Sequence, residues 1–279
     1  MAIRPPETAS LTVAIDRWVG GISESVADEV VTEEPLEIRV RGDSGAEYST
    51  LAITMRTPGN DIELALGFLY GEGLLLRPSQ VLDARMSLNS PNVVEITLDT
   101  IEDLARLAEG RRFYTTSSCG LCGRSSLDAV SRALRGRTVL GDVLFSAPML
   151  TRLPALLRAR QSVFETTGGL HGCGLFDQEG RLLASREDVG RHNAVDKLLG
   201  RGFQDGELPA TNRILVLSGR AGFELIQKSV MAGVSVVAAV GAPTSLAIEL
   251  ARQAGQTLIG FLSSQRMNIY AGSERINGS

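Results

Sequence analysis

A chain of 279 residues, 43% hydrophobic and 22% charged, has length and apolar content for one large domain or two modest ones with real cores. The net charge of −4, with no block of lysine or arginine, argues against a nucleic acid held by charge. No apolar run is long enough to span a bilayer, and MAIRPPETAS at the start lacks a signal-peptide core, so a cytoplasmic protein is expected.

From Leu11 to about Val40 apolar and polar residues alternate, the pattern of half-buried strands. STLAITMRTPGN reads as another strand closed by a Pro-Gly turn. Asn60 and Asp61 offer a helix N-cap, and DIELALGFLYGEGLL follows at helical spacing. NVVEITL is a strand and IEDLARLAEGRR a short helix, which makes the first hundred or so residues α+β. SSLDAVSRALRG reads as a helix, and a second helix is expected over TRLPALLRARQSVF with Pro154 in its first turn. GLFDQEGRLLAS carries a hairpin signal, and DVGRHNAVDKLLGRG a helix ending at glycine. The final part runs strand (RILVLS), loop and helix (GRAGFELIQKSVMAG), strand (VSVVAAV), loop and helix (GAPTSLAIELARQAG), strand (QTLIGFL). That β-α-β-α-β order predicts a parallel sheet covered by helices. The expected division is an N-terminal α+β domain over 1–112 and an α/β domain over 113–279.

TTSSCGLCG, residues 115–123, holds two of the three cysteines. An odd count in a chain this long does not describe a secreted disulfide scaffold, and in a reducing compartment a C-x-x-C pair is more often metal-binding or catalytic. Three readings compete for Cys119 and Cys122. A zinc site needs further ligands, and only Cys173, His171 and His192 are at hand. A zinc deaminase would show H-x-E before P-C-x-x-C, whereas His171 precedes Gly172-Cys173, His192 precedes Asn193-Ala194, and Ser118 precedes Cys119. A thioredoxin-like exchange pair should follow the first strand of a compact domain, and this pair sits mid-chain. A Ser/Thr/Gly loop suits a reactive thiol presented to a partner, the third reading.

Three other stretches carry chemistry. In ETTGGLHGCG, residues 165–174, the glycines indicate a tight turn against a ligand or against backbone, with Cys173 packed. In REDVGRHNAVDK, residues 186–197, Asp188, His192 and Asp196 stand four apart, which would stack a histidine between two carboxylates on a helix face. The loops LSGRAG, VGAPTS and LSSQR follow the three parallel strands, where an open α/β sheet forms its ligand crevice. Ser218, Gly219 and Gly222 open one helix with Arg220 beside them, Pro243, Thr244 and Ser245 open the next, and Arg266 and Asn268 lie past the third strand. Together these suit a phosphate-bearing ligand.

TPGNDIELALGFLYGEG, TSSCGLCG, TGGLHGCGLFD, REDVGRHNAVDKLLG, LSGRAGFELIQKSVMAGV, GAPTSLAIELARQAG and GFLSSQRMNIY, in this order, resemble the motifs of the FdhD family of formate dehydrogenase accessory sulfur carriers, over Arg17–Tyr270. The resemblance implies a C-terminal cytidine deaminase-like three-layer domain with a mainly parallel sheet and no zinc site. It implies a sulfurtransferase that takes persulfide sulfur from a cysteine desulfurase and passes it to the molybdenum (or tungsten) bis(guanine dinucleotide) pterin before insertion into formate dehydrogenase. Carried onto this chain, Cys119 is the persulfide carrier and Cys122 its helper. Phe261, Leu262, Ser263, Ser264, Gln265 and Arg266 contact the cofactor, and a homodimer is expected. The family pattern often has arginine and glycine where this chain has Ser263 and Ser264, which shifts the expected phosphate grip to Arg266, Arg220 and the Ser218 loop. Cys173 stands where a small residue is usual, as a bystander or a rescue thiol. A cofactor chaperone that transfers no sulfur, and a zinc deaminase-like enzyme, are the alternatives.

Overall fold

The computed structural model describes residues 8–43, 47–99, 113–114, 139 and 143–278. In β3 (Glu34–Gly42), Leu36, Ile38 and Val40 are buried and Glu37, Arg39 and Arg41 are half-buried, the period-two pattern that seats one strand face on a core. β3 pairs antiparallel with β4 (Ser49–Arg56) and parallel with β6 (Val93–Leu98). β5 (Val81–Met86) adds to β6, and β7 (Phe113–Tyr114) pairs parallel with β4, giving the five-stranded order β5-β6-β3-β4-β7. The first two strands, β1 (Ser10–Val19) and β2 (Ile22–Val31), pair only with each other.

α1 (Asp61–Gly71) starts at Asn60, but Asn60 sits in the left-handed region at φ 57° and caps nothing with its side chain. Asp61 instead takes both arms of the buried Arg56 guanidinium, at 3.0 and 2.9 Å. The helix expected across TRLPALLRARQSVF is two short ones, α3 (Leu153–Arg158) and α4 (Ser162–Thr167), preceded by β8 (Phe145–Ser146) and α2 (Ala147–Leu150). The break falls at Ala159–Gln161, and the buried Gln161 packs its amide against Gly172. The helices expected at 101–112 and 125–136 lie outside the described residues.

The second sheet has six strands in the order β10-β9-β11-β12-β13-β14. Its hairpin, β9 (His171–Phe176) and β10 (Leu182–Asp188), turns at Asp177, whose carboxylate accepts from the Glu179 and Arg181 amides at 3.0 and 2.8 Å. Then follow α5 (Arg191–Gln204), β11 (Ile214–Leu217), α6 (Phe223–Met231), β12 (Val236–Ala239), α7 (Ser245–Gln253), β13 (Thr257–Gly260) and β14 (Asn268–Ala271). β11, β12 and β13 are parallel, as their spacing predicts. The sheet as a whole is mixed rather than mainly parallel, because β9 joins β11 antiparallel and β14 folds back on β13. A last short strand, β15 (Ile276–Asn277), pairs with β8.

The three central strands are buried on both faces, and alternate residues divide between two apolar clusters. Leu215, Leu217, Val237, Ala239 and Leu258 pack toward α5, α6 and α7, and α1 belongs to the same cluster. Ile214, Val216, Val236, Ala238 and Ile259 pack toward Phe145, Leu150, Leu153 and Leu157 on the other face. The first cluster also holds Leu36, Ile38, Val94 and Ile96, so it joins the five-stranded sheet to the six-stranded one. Each fully buried aliphatic side chain contributes about 1.5–3 kcal/mol.

Candidate functional site

The C-terminal ends of β11, β12 and β13 lie on one edge of the sheet, and the loops that leave them are tied by main-chain bonds. Gly241 N donates to Gly219 O at 2.9 Å, Ala221 N to Ala242 O at 3.2 Å, and Thr244 N to Ala221 O at 3.1 Å. Phe261 N donates to Gly241 O at 3.1 Å and Leu262 N to Ala239 O at 3.0 Å. Gly241 is needed here, since a methyl group on it would stand 2.9 Å from the Gly219 backbone. The three loops thus form one platform at the mouth of the strand-end crevice.

Two arginines stand exposed on that platform, Arg220 from the first loop and Arg266 from the third. Phe261 carries φ +52°, a left-handed conformation rare for an aromatic residue, and it is 37% exposed. Such strain, about 1–3 kcal/mol, persists where surrounding structure fixes it and is frequent at ligand sites. The Arg266 guanidinium lies 6.0 Å from the Phe261 ring centroid. Ser263 closes the third loop on itself: its amide donates to Arg266 O at 2.9 Å, and its hydroxyl accepts from the Arg266 amide at 3.2 Å. Ser264 and Gln265 are exposed. Leu262 is buried in the second apolar cluster and acts as the loop's anchor. The Ser218 hydroxyl accepts from Gly172 N at 2.9 Å, so it serves the β9–β11 junction. Thr244 caps α7 by accepting from Ala247 N.

Beside Ser218, His171 at the start of β9 stands against Gly219, with Arg191 and His192 of the first turn of α5 near its ring. Burial lowers the His171 pKa, and the Arg191 charge lowers it further, so the ring is neutral at pH 7. The expected stack of His192 between Asp188 and Asp196 is absent. Asp188 ends β10, before the helix begins, and is fully buried. It pairs with Lys197 Nζ at 2.7 Å and accepts from Thr57 N, Gly190 N and Asn193 Nδ2. Asp196 faces Lys228 Nζ at 2.8 Å. His192 instead has Nε2 2.7 Å from Oε2 of Glu224, an ion-pair distance poorly aligned for a hydrogen bond. Contact with His192 holds the Glu224 pKa below the usual carboxylate value. Glu224 lies 32 residues from its partner, in the first turn of α6, where sequence spacing gives no signal.

The Asp188 network also brings the first sheet to this edge. Lys197 Nζ donates to Thr57 O at 2.8 Å, Asn193 Nδ2 to Met55 O at 2.7 Å, and Thr54 Oγ1 to Asn193 Oδ1 at 3.2 Å. Tyr114, the end of β7, pairs with Ile53, the neighbour of Thr54. Cys119 and Cys122 lie outside the described residues. Cys173 is buried with its thiol 3.1 Å from Ala194 O, and burial pushes its pKa far up, so it is a packing residue and no rescue thiol. The glycines of 168–174 serve backbone and side-chain packing: Gly169 abuts Val31 and Gly172 abuts Gln161. Among the described residues no group of three or more His, Cys, Asp or Glu is placed to hold a metal ion.

A mixed α/β protein with a loop platform at the strand ends is therefore the class that fold and site define. The FdhD/NarQ family model matches residues 31–277. The chain belongs to that family. It is 49% identical over 259 residues to the sulfur carrier protein FdhD of Streptomyces avermitilis, covering 89% of each chain. It is 44% identical over 255 residues to the protein of that name from Sulfurisphaera tokodaii, covering 91% of this chain and 94% of the relative. A crystal structure of a formate dehydrogenase accessory protein from Desulfotalea psychrophila superposes with TM-score 0.74 at 21% identity, over 97% of this chain and all of the other, and shares the fold. No described helix is long and apolar enough to cross a membrane.

Proposed function

We propose that this chain is a sulfur carrier that matures formate dehydrogenase, taking persulfide sulfur from a cysteine desulfurase and delivering it to a molybdenum bis(guanine dinucleotide) pterin held as substrate at the strand-end platform. Relatives 44–49% identical bear the name sulfur carrier protein. The carrying observation is the platform itself: a strained, half-exposed Phe261 beside Arg266 on the third loop, with Arg220 on the first, both tied to the Gly241 loop between them. An aromatic face and two guanidinium groups suit a purine and a diphosphate. The order β10-β9-β11-β12-β13 with β9 reversed, and α5–α7 on one face, supports the cytidine deaminase-like reading of the second sheet.

Cys119 follows Tyr114 by five residues, and five residues of chain span at most about 18 Å. Tyr114 is registered against Ile53 of β4, the strand that Asn193 ties to the start of α5. In the first step the Cys119 thiolate attacks the outer sulfur of the donor persulfide and displaces the donor's cysteine thiolate. One S–S bond breaks and one forms, with no net redox change. In the second, the Cys122 thiolate attacks Cys119 Sγ, leaving a disulfide and releasing hydrosulfide to the metal centre, and a cellular dithiol resets the pair.

The test is intact mass after incubation with a cysteine desulfurase and cysteine, compared with Cys119→Ala. A gain of one sulfur atom, absent in the variant and removed by reductant, is expected. No gain in the parent protein, with the desulfurase active, overturns the carrier and favours a chaperone that only holds the pterin.

A further inference from the structure

The chain has two histidines in 279 residues, and the fold brings both to one place. His171 opens β9, His192 stands in the first turn of α5, and the His192 charge acts on the His171 ring. A methyl group on Gly219 would lie 3.3 Å from His171 Nδ1. Gly172 N donates to Ser218 Oγ and Ser218 N to Gly172 O, both at 2.9 Å. Glu224, the partner of His192 at 2.7 Å, is the second residue of α6, the helix that the 218–222 loop enters. Both histidines therefore adjoin the loop that opens the strand-end platform. Imidazole is the side chain whose ordinary titration falls between pH 5 and 8. The chain's carriers of a mobile proton at neutral pH are thus gathered beside the platform, and the two sulfur-transfer steps use neither.

The two rings are not equivalent. Burial and the Arg191 charge keep His171 neutral. His192 has a carboxylate of its own, and their contact holds Glu224 below the usual carboxylate range, ionised at neutral pH. Such a carboxylate orients an imidazole and compensates the positive charge of its protonated form. With Nε2 buried against Glu224, Nδ1 is left without a hydrogen-bond partner among the described residues. The other acids nearby are engaged: Asp196, which feels the His192 charge, is buried against Lys228, and Asp188 against Lys197.

Release of sulfur requires a proton. A persulfide is more acidic than a thiol, so the outer sulfur on Cys119 is anionic at neutral pH. When the Cys122 thiolate attacks Cys119 Sγ, the electron pair of the breaking S–S bond goes to that outer sulfur. Unaided it would leave as the dianion S²⁻, too basic to depart. One proton makes it hydrosulfide. The Cys122 sulfur is oxidised to the disulfide, the outer sulfur is reduced, and no outside oxidant enters. We propose that His192 is the general acid that gives this proton from Nδ1 to the departing sulfur, with Glu224 as its positioning residue. Water then reprotonates the ring. This rests on the sulfur-carrier reading and supplies the proton that its second step needs.

The test loads the full chain with one sulfur from a cysteine desulfurase, removes the donor, adds guanosine diphosphate, and follows hydrosulfide with a trapping dye. His192→Ala should take up sulfur, which shows that it is folded, and release it about a hundredfold more slowly than the parent. Added imidazole should restore release in proportion to its concentration. Glu224→Gln should slow release about tenfold, and the conservative Glu224→Asp should regain most of that loss. Release from His192→Ala at the parent rate overturns the proposal and leaves the carrier reading intact. Slow release that imidazole does not relieve also overturns it, because the histidine then acts only through packing. A loaded parent that forms no Cys119–Cys122 disulfide and frees no hydrosulfide does the same, since no sulfur leaves. A parent that takes up no sulfur removes the carrier reading and this proposal with it.

Discussion

Gly67 of α1 and Gly200 of α5 are reciprocal contacts: a methyl group on Gly67 would overlap the carbonyl oxygen of Asp196, and one on Gly200 that of Glu63. Each glycine lets the other helix's backbone pass, and this crossing couples the two sheets through the shared core. Gly200→Ala therefore forces the helices apart. Overpacking typically costs 1–3 kcal/mol, and backbone against backbone has no flexible side chain to yield. A loss of about 3 kcal/mol is expected, read as a lower denaturant midpoint with an unchanged slope. A midpoint within error of the parent would show that the helices separate freely.

The buried pair Lys228–Asp196 lies beside this crossing, with Glu72 Oε1 3.5 Å from the same ammonium. Burial pushes the Asp196 carboxyl up to about 6, which leaves it ionised at neutral pH. Burial opposes the Lys228 charge, but attraction to Asp196 and Glu72 leaves its pKa raised. Removing one member strands the other. Lys228→Met should cost about 3–5 kcal/mol, and Lys228→Met with Asp196→Leu should recover most of it. A double variant as unstable as the single one would locate the cost in packing.

His171 gives the crevice a pH signature. Its pKa is lowered in the folded protein, first by burial and then by the Arg191 and His192 charges, with Asp188 opposing. Below pH 6.5 the unfolded chain therefore binds more protons at this site than the folded one. The contribution to stability is complete above 6.5 and is lost as pH falls from 6.5 through the folded value. His171→Asn should flatten that part of the profile, and the ring resonances of His171 should titrate below 6.5. Titration at or above 6.5 would contradict the assignment.

Phe261 separates stability from binding. Phe261→Gly relieves the positive φ and should hold or raise the melting temperature, a gain of about 1 kcal/mol. The same substitution should weaken guanosine diphosphate binding about tenfold, as should Arg266→Ala, which also reduces its salt dependence. Nucleotide affinity unchanged in both would remove the platform as the binding surface.

The β9–β10 hairpin and the parallel strands β11–β13 were legible because local signals suffice there: an Asp-Gln-Glu-Gly turn, and short apolar runs ending in glycine loops. The clustering of Ser218, Arg220, Phe261 and Arg266 at one edge follows from that order of elements. What escaped depends on long-range choice. Helical spacing suggested that His192 meets Asp188 and Asp196, yet buried lysines claim both carboxylates and leave Glu224 for the histidine. The antiparallel joining of β9 to β11, Ile214 opposite Phe176 and Leu217 opposite Cys173, is likewise a pairing across about forty residues that no local pattern encodes. One helix was expected through Ala159–Gln161, where the packing of Gln161 on Gly172 breaks it in two.

The platform is cross-tied by main-chain donors and acceptors: Gly241 to Gly219, Thr244 to Ala221, Phe261 to Gly241. Its shape is consequently indifferent to most side chains mounted on it. Ser264, Gln265 and Arg220 can be exchanged without disturbing the frame, so a lineage can retune which ligand it grips one residue at a time and never pass through an unfolded ancestor.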